Sequence, residues 1–335
     1  MVSLNPGRGE RIVPYGAACK AALSVVLLTT PLFLFFINGC RKTEPGDTSS
    51  GVVVAVSLAP QAWLVRRIGG DRVQVEVMIS GGSDPHTFQI SDADVTRLAR
   101  SRVFFAAGMP FERTPACQAV LRSGNARVVD LREELIGQGL IAGDHGHADE
   151  HEHADSHDHE GHDHEHAHDE PLHVWLSPRL LKAQAETVAK TLEETDPAGG
   201  EVYRAGLAAV IAELDSLDKD LRAKLAPLRG QAFFVYHPAW ECFAADYDLR
   251  QVAIEQSGKE PTDRELSELQ QAAAETRIRL ILTQPQISSR AAQAVAQTAG
   301  LRVETADPLA PDPTAELRRL ADLLVSSYRG GSASE

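Results

Sequence analysis

Between Asp144 and Glu170 the chain carries ten of its 13 histidines: His145, His147, His151, His153, His157, His159, His162, His164, His166 and His168. They are interleaved almost entirely with Asp, Glu, Gly and Ala. Imidazoles and carboxylates at spacings of two and three residues form many overlapping, exchanging sites for divalent transition metals. Imidazole suits Zn, Cu, Ni and Fe, whereas carboxylate alone would suit Mg or Ca. The run has almost no apolar content, so it cannot form a core and reads as a solvated loop. A plain acidic linker has no need of histidine at every second or third position. The run therefore points to a transition metal, without saying whether the protein transports, stores, senses or uses it.

The other three histidines are His86, His173 and His237, each with a proline within two residues. His86 ends Gly81-Gly-Ser-Asp-Pro-His86, a turn-rich stretch after the alternating run Val73–Ile79. His237 lies in Val235-Tyr-His-Pro238, directly after an apolar run. Asp307, in Thr305-Ala-Asp307-Pro-Leu309, also follows a strand-like segment. In open parallel sheets, ligands collect at the carboxyl ends of the strands. Three imidazoles and one carboxylate make a tetrahedral Zn²⁺ set. A single loop histidine is usually an ordinary polar residue. Four such positions at one edge of a sheet point to a shared site.

The elements that must position these residues alternate between strand and helix. Val52–Ser57 is a continuous apolar run of the buried parallel type. A helix over 59–68 follows, then strand 73–79, a helix over 91–99 capped by Ser91 or Asp92, and strands 102–107 and 127–131. Ser177-Pro178 opens a further helix by the N-cap and proline-at-N1 rule. The next helix, about 200–225, carries Leu207, Val210, Ile211, Leu214, Leu217, Leu221 and Leu225 at three- and four-residue steps. It spans roughly 35–40 Å at the α-helical rise. A second set follows: strands 232–236 and 250–254, a helix over 262–275, strand 278–283, a helix over 289–299, strand 302–305 and a helix over 313–328. This pattern predicts an α/β fold of two lobes, each a parallel-rich sheet flanked by helices, joined by one long rigid helix. The alternative is one large doubly wound domain.

The expected boundaries are a signal peptide of the lipoprotein type over 1–39 and a tether over 40–51. An N-terminal lobe over 52–199 includes the His-rich loop 144–170. A linking helix over 200–227 leads to a C-terminal lobe over 228–329 and a tail over 330–335. Arg8, Arg11 and Lys20 precede the apolar stretch 21–37, as in an export signal. Ile37-Asn38-Gly39-Cys40 resembles a lipobox, although Asn38 is not the usual small residue. Cys40 would be the lipidated residue. An uncleaved anchor is the competing reading, because 17 apolar residues approach the lower limit for a spanning helix. Either places the rest of the chain outside the cytoplasm, attached to a membrane. Cys117 and Cys242 are expected as buried packing residues. The net charge of −14 is local: 144–170 holds 11 acidic and no basic residues, leaving 36 acidic against 33 basic elsewhere. There is no basic footprint for nucleic acid.

The motifs, in order, are GGSDPHTFQISDAD over 81–94, Gly108…Phe111-Glu112, His173-Val-Trp-Leu-Ser-Pro178, Val235-Tyr-His-Pro-Ala-Trp240, Ile254-Glu…Gly258-Lys-Glu-Pro261, Thr283-Gln-Pro-Gln286 and Asp307-Pro-Leu309. Over nearly all of 52–328 the chain resembles the metal-specific cluster of ABC-transporter substrate-binding proteins, of the high-affinity zinc-uptake type. The resemblance implies a two-lobed protein with a metal in the cleft. His86 and His173 would be ligands from the first lobe, and His237 and Asp307 from the second. It further implies zinc, because a His at the position of His237 is typical of zinc members, where manganese and iron members usually carry Glu. The family usually has Asp-Pro-His where this chain has Pro171-Leu172-His173, and Cys242 stands where an aromatic is common.

The expected function is thus extracytoplasmic capture of Zn²⁺ and its delivery to an ABC permease with a cytoplasmic ATPase, by a lipid-anchored monomer that is not an enzyme. The His-rich loop would be an accessory collector. A manganese- or iron-binding protein or adhesin on the same scaffold is the alternative. A zinc hydrolase would need a metal-bound water and a general base. Glu255 and Glu112 are available carboxylates, but no HExxH helix is present.

Overall fold

The computed structural model describes residues 51–79, 81–142, 173–255, 262, 264–265, 267–269, 271, 277–286 and 290–330. The signal segment with Cys40, the tether to Ser50 and the His-rich run lie outside the described residues. Among the described residues no helix is long and apolar enough to cross a membrane.

Two four-stranded sheets, parallel throughout, form the frame. In the first, β1 (Val52–Val56) lies between β2 (Val73–Val77) and β3 (Val103–Ala106), and β4 (Arg127–Asp130) pairs with β3. The second repeats this order: β5 (Ala232–Val235) lies between β6 (Arg250–Ala253) and β7 (Leu280–Thr283), with β8 (Arg302–Thr305) outside β7. The inner strands β3, β5 and β7 are buried along their whole length, and the outer strands β2 and β8 are only partly covered. This explains why the inner strands read as unbroken apolar runs. Each buried Phe of β3 and β5 contributes roughly 1.5–3 kcal/mol.

In the first half the crossover helices are α1 (Ala59–Gly69), α2 (Asp92–Arg100) and α3 (Pro115–Ser123), and α4 (Leu131–Gly137) follows the last strand. Ser91 caps α2 by accepting from the Asp94 amide, while Asp94 accepts from the Ser91 amide. α5 (Pro178–Thr195) leads to α6 (Gly200–Leu225), a 26-residue helix about 39 Å long. Tyr203, Val210, Leu214, Leu217, Leu221 and Leu225 bury one stripe of α6, and Leu207 and Ile211 lie half-buried at its margin. The second half adds α7 (Glu241–Asp246), α8 (Arg290–Ala299) and α9 (Pro313–Gly330). Within 262–275, the described positions 264, 265, 267–269 and 271 are helical.

α6 meets both halves. Glu213 pairs with Arg67 of α1 and accepts from Thr314 of α9. Where α6 crosses α1 it carries Gly206, because a Cβ there would lie 2.4 Å from the Ile68 carbonyl oxygen. One hydrophobic core runs from β1 and β3 through α5 and α6 to β5, β7 and α9, and a smaller cluster fills the outer face of the second sheet under α8. Cys117 and Cys242 are buried free thiols.

Candidate metal centre

His237 is placed most directly. The β5 ladder continues one residue beyond the strand, with Tyr236 N donating to Leu282 O, and His237 is next. The neighbouring strand also runs on: Glu255 N donates to Tyr236 O, which sets Glu255 beside the end of β5. Glu255 Oε1 lies 3.6 Å from His237 Nδ1.

His86 follows β2 by a longer route. Met78 and Ile79 still pair with Val56 and Ser57, and the chain then turns through Gly82 at φ +90°. Asp84 accepts from the His86 amide at 2.9 Å and from the Thr87 hydroxyl at 3.2 Å, an Asx turn that fixes the backbone under the imidazole. His173 comes from outside the sheets. It precedes a single 3₁₀ turn, Val174–Leu176, that is buried and runs into α5. Ser177 caps α5 at Leu180 N and donates its own hydroxyl to Asp246 of α7. Trp175 Nε1 donates to Pro308 O at 2.6 Å, so the same turn is pinned to the second half of the molecule.

The three imidazoles meet. Ring centroids are 5.1 Å apart for His86–His237, 5.4 Å for His173–His237 and 6.0 Å for His86–His173. One nitrogen from each lies within 4.8 Å of the others. Nitrogens around a tetrahedral Zn²⁺, at the usual bond length, stand about 3.4 Å apart. A small inward movement would therefore close the set. A small cavity at this point is bounded by the three histidines with Pro85, Gln284, Pro308 and Leu309.

The electrostatics favour neutral ligands. Burial holds His86 below the ordinary histidine pKa, reinforced by His237 and His173, and it lowers His237 to about 4 with His173 adding to the effect. His86 Nε2 and both ring nitrogens of His237 are buried without a hydrogen-bond partner. Buried polar atoms left unpaired are costly, and a cation would satisfy lone pairs on such nitrogens.

Asp307 is not part of this group. Its Oδ1 accepts from Gln286 Nε2 at 2.8 Å and from Leu309 N at 3.0 Å, which ties the carboxylate to the segment after β7 and to its own loop. The expected four-residue set is therefore assembled only as far as its three imidazoles. Glu112 lies in a separate buried pocket, accepting from Ser57 Oγ and from the amides of Ala107 and Gly108, with burial pushing its carboxyl up to about 6. The ten histidines of 144–170 lie outside the described residues.

One contact had no signal in the sequence. Glu241, at the start of α7, places Oε1 3.2 Å from His173 Nδ1 and 3.4 Å from the His173 amide nitrogen. Burial pushes the Glu241 carboxyl up, and its bonds to His173 more than offset this, leaving it below the ordinary value. The two residues are 68 positions apart. Only the docking of α7 against the turn after His173 brings them together.

Two parallel sheets joined by one long helix, with three imidazoles gathered where the halves face each other, define a metal-binding protein of the two-lobed transport class. The profile of the zinc-uptake complex component A family (ZnuA), described as periplasmic, matches residues 54–327, and the chain belongs to that family. A zinc-bound deletion mutant of ZnuA is 32% identical with a TM-score of 0.69, the match covering 83% of this chain and 98% of that one. A putative metal-binding protein of Chlamydia muridarum is 24% identical over 87% of this chain and 96% of its own length. The zinc-binding lipoprotein AdcA of Streptococcus pneumoniae is 26% identical over 85% of this chain, which spans only 55% of that longer relative.

Proposed function

We propose that this protein captures Zn²⁺ outside the cytoplasm and delivers it to an ABC permease, with His86, His173 and His237 as the direct ligands. The observation that carries the reading is the convergence of three nitrogens within 4.8 Å from three separate elements, two of the rings having buried nitrogens with no other partner. Membership of the zinc-uptake family supports the cargo and the kind of partner. Asp307 is the candidate for the fourth position, with its Oδ1 accepting from Gln286 and Leu309. We read the protein as a binding protein rather than an enzyme. Glu112 is engaged by Ser57 and two backbone amides, and Glu255 lies against His237. Cys40 is proposed as the site of a lipid anchor, the functional unit as a monomer, and the run 144–170, just ahead of His173 in the sequence, as a weak, fast-exchanging zinc collector.

Metal titration of the mature protein, with and without 144–170, tests this reading. One tight zinc should survive loop deletion and vanish in His86→Ala. Tight binding that disappears with the loop and is indifferent to His86 would overturn the cleft as the site.

A further inference from the structure

Six buried side-chain polar atoms lack a hydrogen-bond partner among the described residues, and one of them is Oε2 of Glu241, the residue that grips His173. Its other oxygen contacts both the ring and the backbone amide of His173, a two-point hold on a single residue. An ionised carboxylate can only accept, so the proton of the imidazole must sit on Nδ1. That leaves Nε2 as the nitrogen with a free lone pair. We propose that Glu241 is a positioning residue for the metal cleft: by accepting from His173 Nδ1 it fixes the tautomer and orientation of that ligand and sets an anionic charge one imidazole away from the bound cation. The proposal deepens the zinc reading above and rests on it.

Three physical arguments support the role. Metal-binding imidazoles are generally held through their second nitrogen by a carboxylate or carbonyl, which raises their basicity, and loss of that partner typically weakens metal binding by about 10- to 100-fold. Among the three histidines, only His173 has a ring contact of this kind within hydrogen-bond distance. The Glu255–His237 approach is longer at 3.6 Å, and His86 is held through its backbone by Asp84. Charge gives the second argument. Three neutral imidazoles leave the charge of a divalent ion to nearby carboxylates, and Glu241 sets one beside His173 as Glu255 does beside His237. The third is connectivity. Glu241 opens α7, and the turn after His173 is tied to the same helix by Ser177–Asp246 and to Pro308 by Trp175, so the carboxylate and the ring it holds sit in one braced unit.

The test uses the full mature chain carrying Glu241→Ala or Glu241→Gln. Zinc affinity of the tightest site is read by competition with a chromophoric chelator. The His173 tautomer is read in metal-free protein from ring ¹⁵N shifts, assigned with His173→Gln. Glu241→Ala should weaken zinc by about 10- to 100-fold and convert a single Nδ1–H tautomer into a mixture. Glu241→Gln keeps an acceptor of the same shape and loses the charge, so the tautomer should persist while affinity falls by a smaller factor. A purely structural glutamate would not move the tautomer. Unchanged affinity and tautomer in Glu241→Ala overturn the proposal. If that variant does not fold, unchanged zinc affinity in Glu241→Gln overturns it instead. Should the unsubstituted protein hold no tight zinc, or hold it equally well after His86→Ala, the zinc reading itself fails. The tautomer measurement needs no metal and still judges Glu241.

Discussion

The two sheets share one strand order, yet they supply the cleft in different ways. The second sheet presents His237 at the very end of its central strand and sets Glu255 beside it from the adjacent strand. The first half provides two imidazoles from longer irregular segments, one fixed by an Asx turn and the other held from across the cleft by Glu241. One half therefore carries a rigid ligand with nearby negative charge, and the other carries neutral donors whose placement depends on loops. A site divided this way has a fixed wall and an adjustable one. Affinity then depends on how well the adjustable wall is held.

The sharpest way to break this comparison is to remove one ligand from each wall. His237→Ala and His86→Ala should each weaken zinc by at least about a hundredfold, since zinc binding of about 10–16 kcal/mol is divided among only a few ligands. Chelator competition measures both. Retention of tight zinc by either variant would show that its wall is dispensable.

Acid titration comes next in size. A histidine whose folded pKa is about 4 and whose unfolded value is near 6.5 binds more protons when unfolded, so its contribution to stability falls as pH drops through that window. For His237 the loss is on the order of 3 kcal/mol. Glu112 has the opposite sign, because its folded pKa is raised to about 6 and its contribution improves as pH falls from 6 toward its unfolded value. The informative quantity is the difference between the unsubstituted protein and His237→Ala in metal-free denaturant unfolding at pH 7 and pH 4.5. The variant should lose less stability on acidification. An equal loss in both would remove His237 from the buried, neutral wall.

Gly206→Ala tests the frame that both walls share. The added methyl would meet the Ile68 carbonyl, and overpacking of that kind costs about 1–3 kcal/mol, read as a lower thermal midpoint. The smallest effect expected is from Asp307→Asn. With its carboxylate held by Gln286 and Leu309, the change should weaken zinc by less than about tenfold. A loss as large as that of His237→Ala would instead give the second half two direct ligands.

Much of this arrangement was legible in the sequence because it follows periodicity and strand ends. The unbroken apolar runs gave the inner strands, and α6 begins and ends where its leucine stripe and glycine start predict. The positions of His86 and His237 after their strands were readable for the same reason. α4 and the six-residue α7 carry too few turns for a periodic signal, whereas α3, as long as α2, is marked only by its Thr114-Pro115 start. Asp307 looked equivalent to the histidines by sequence position. Its Oδ1 is bonded to the amide of Gln286 here, and no spacing rule encodes a side-chain partner 21 residues away. Glu241 lies four residues after His237 yet serves His173, a relation that exists only after docking.

Trp175 gives the cleft an optical consequence. Its indole is buried, lies 5.4 Å from the His173 ring and donates to Pro308, the residue after Asp307. A chromophore wedged between a ligand from one half and backbone from the other senses any tilt between them. Its emission should therefore report metal arrival without an added dye, and Trp175→Phe would show how much of the change comes from Trp63 and Trp240.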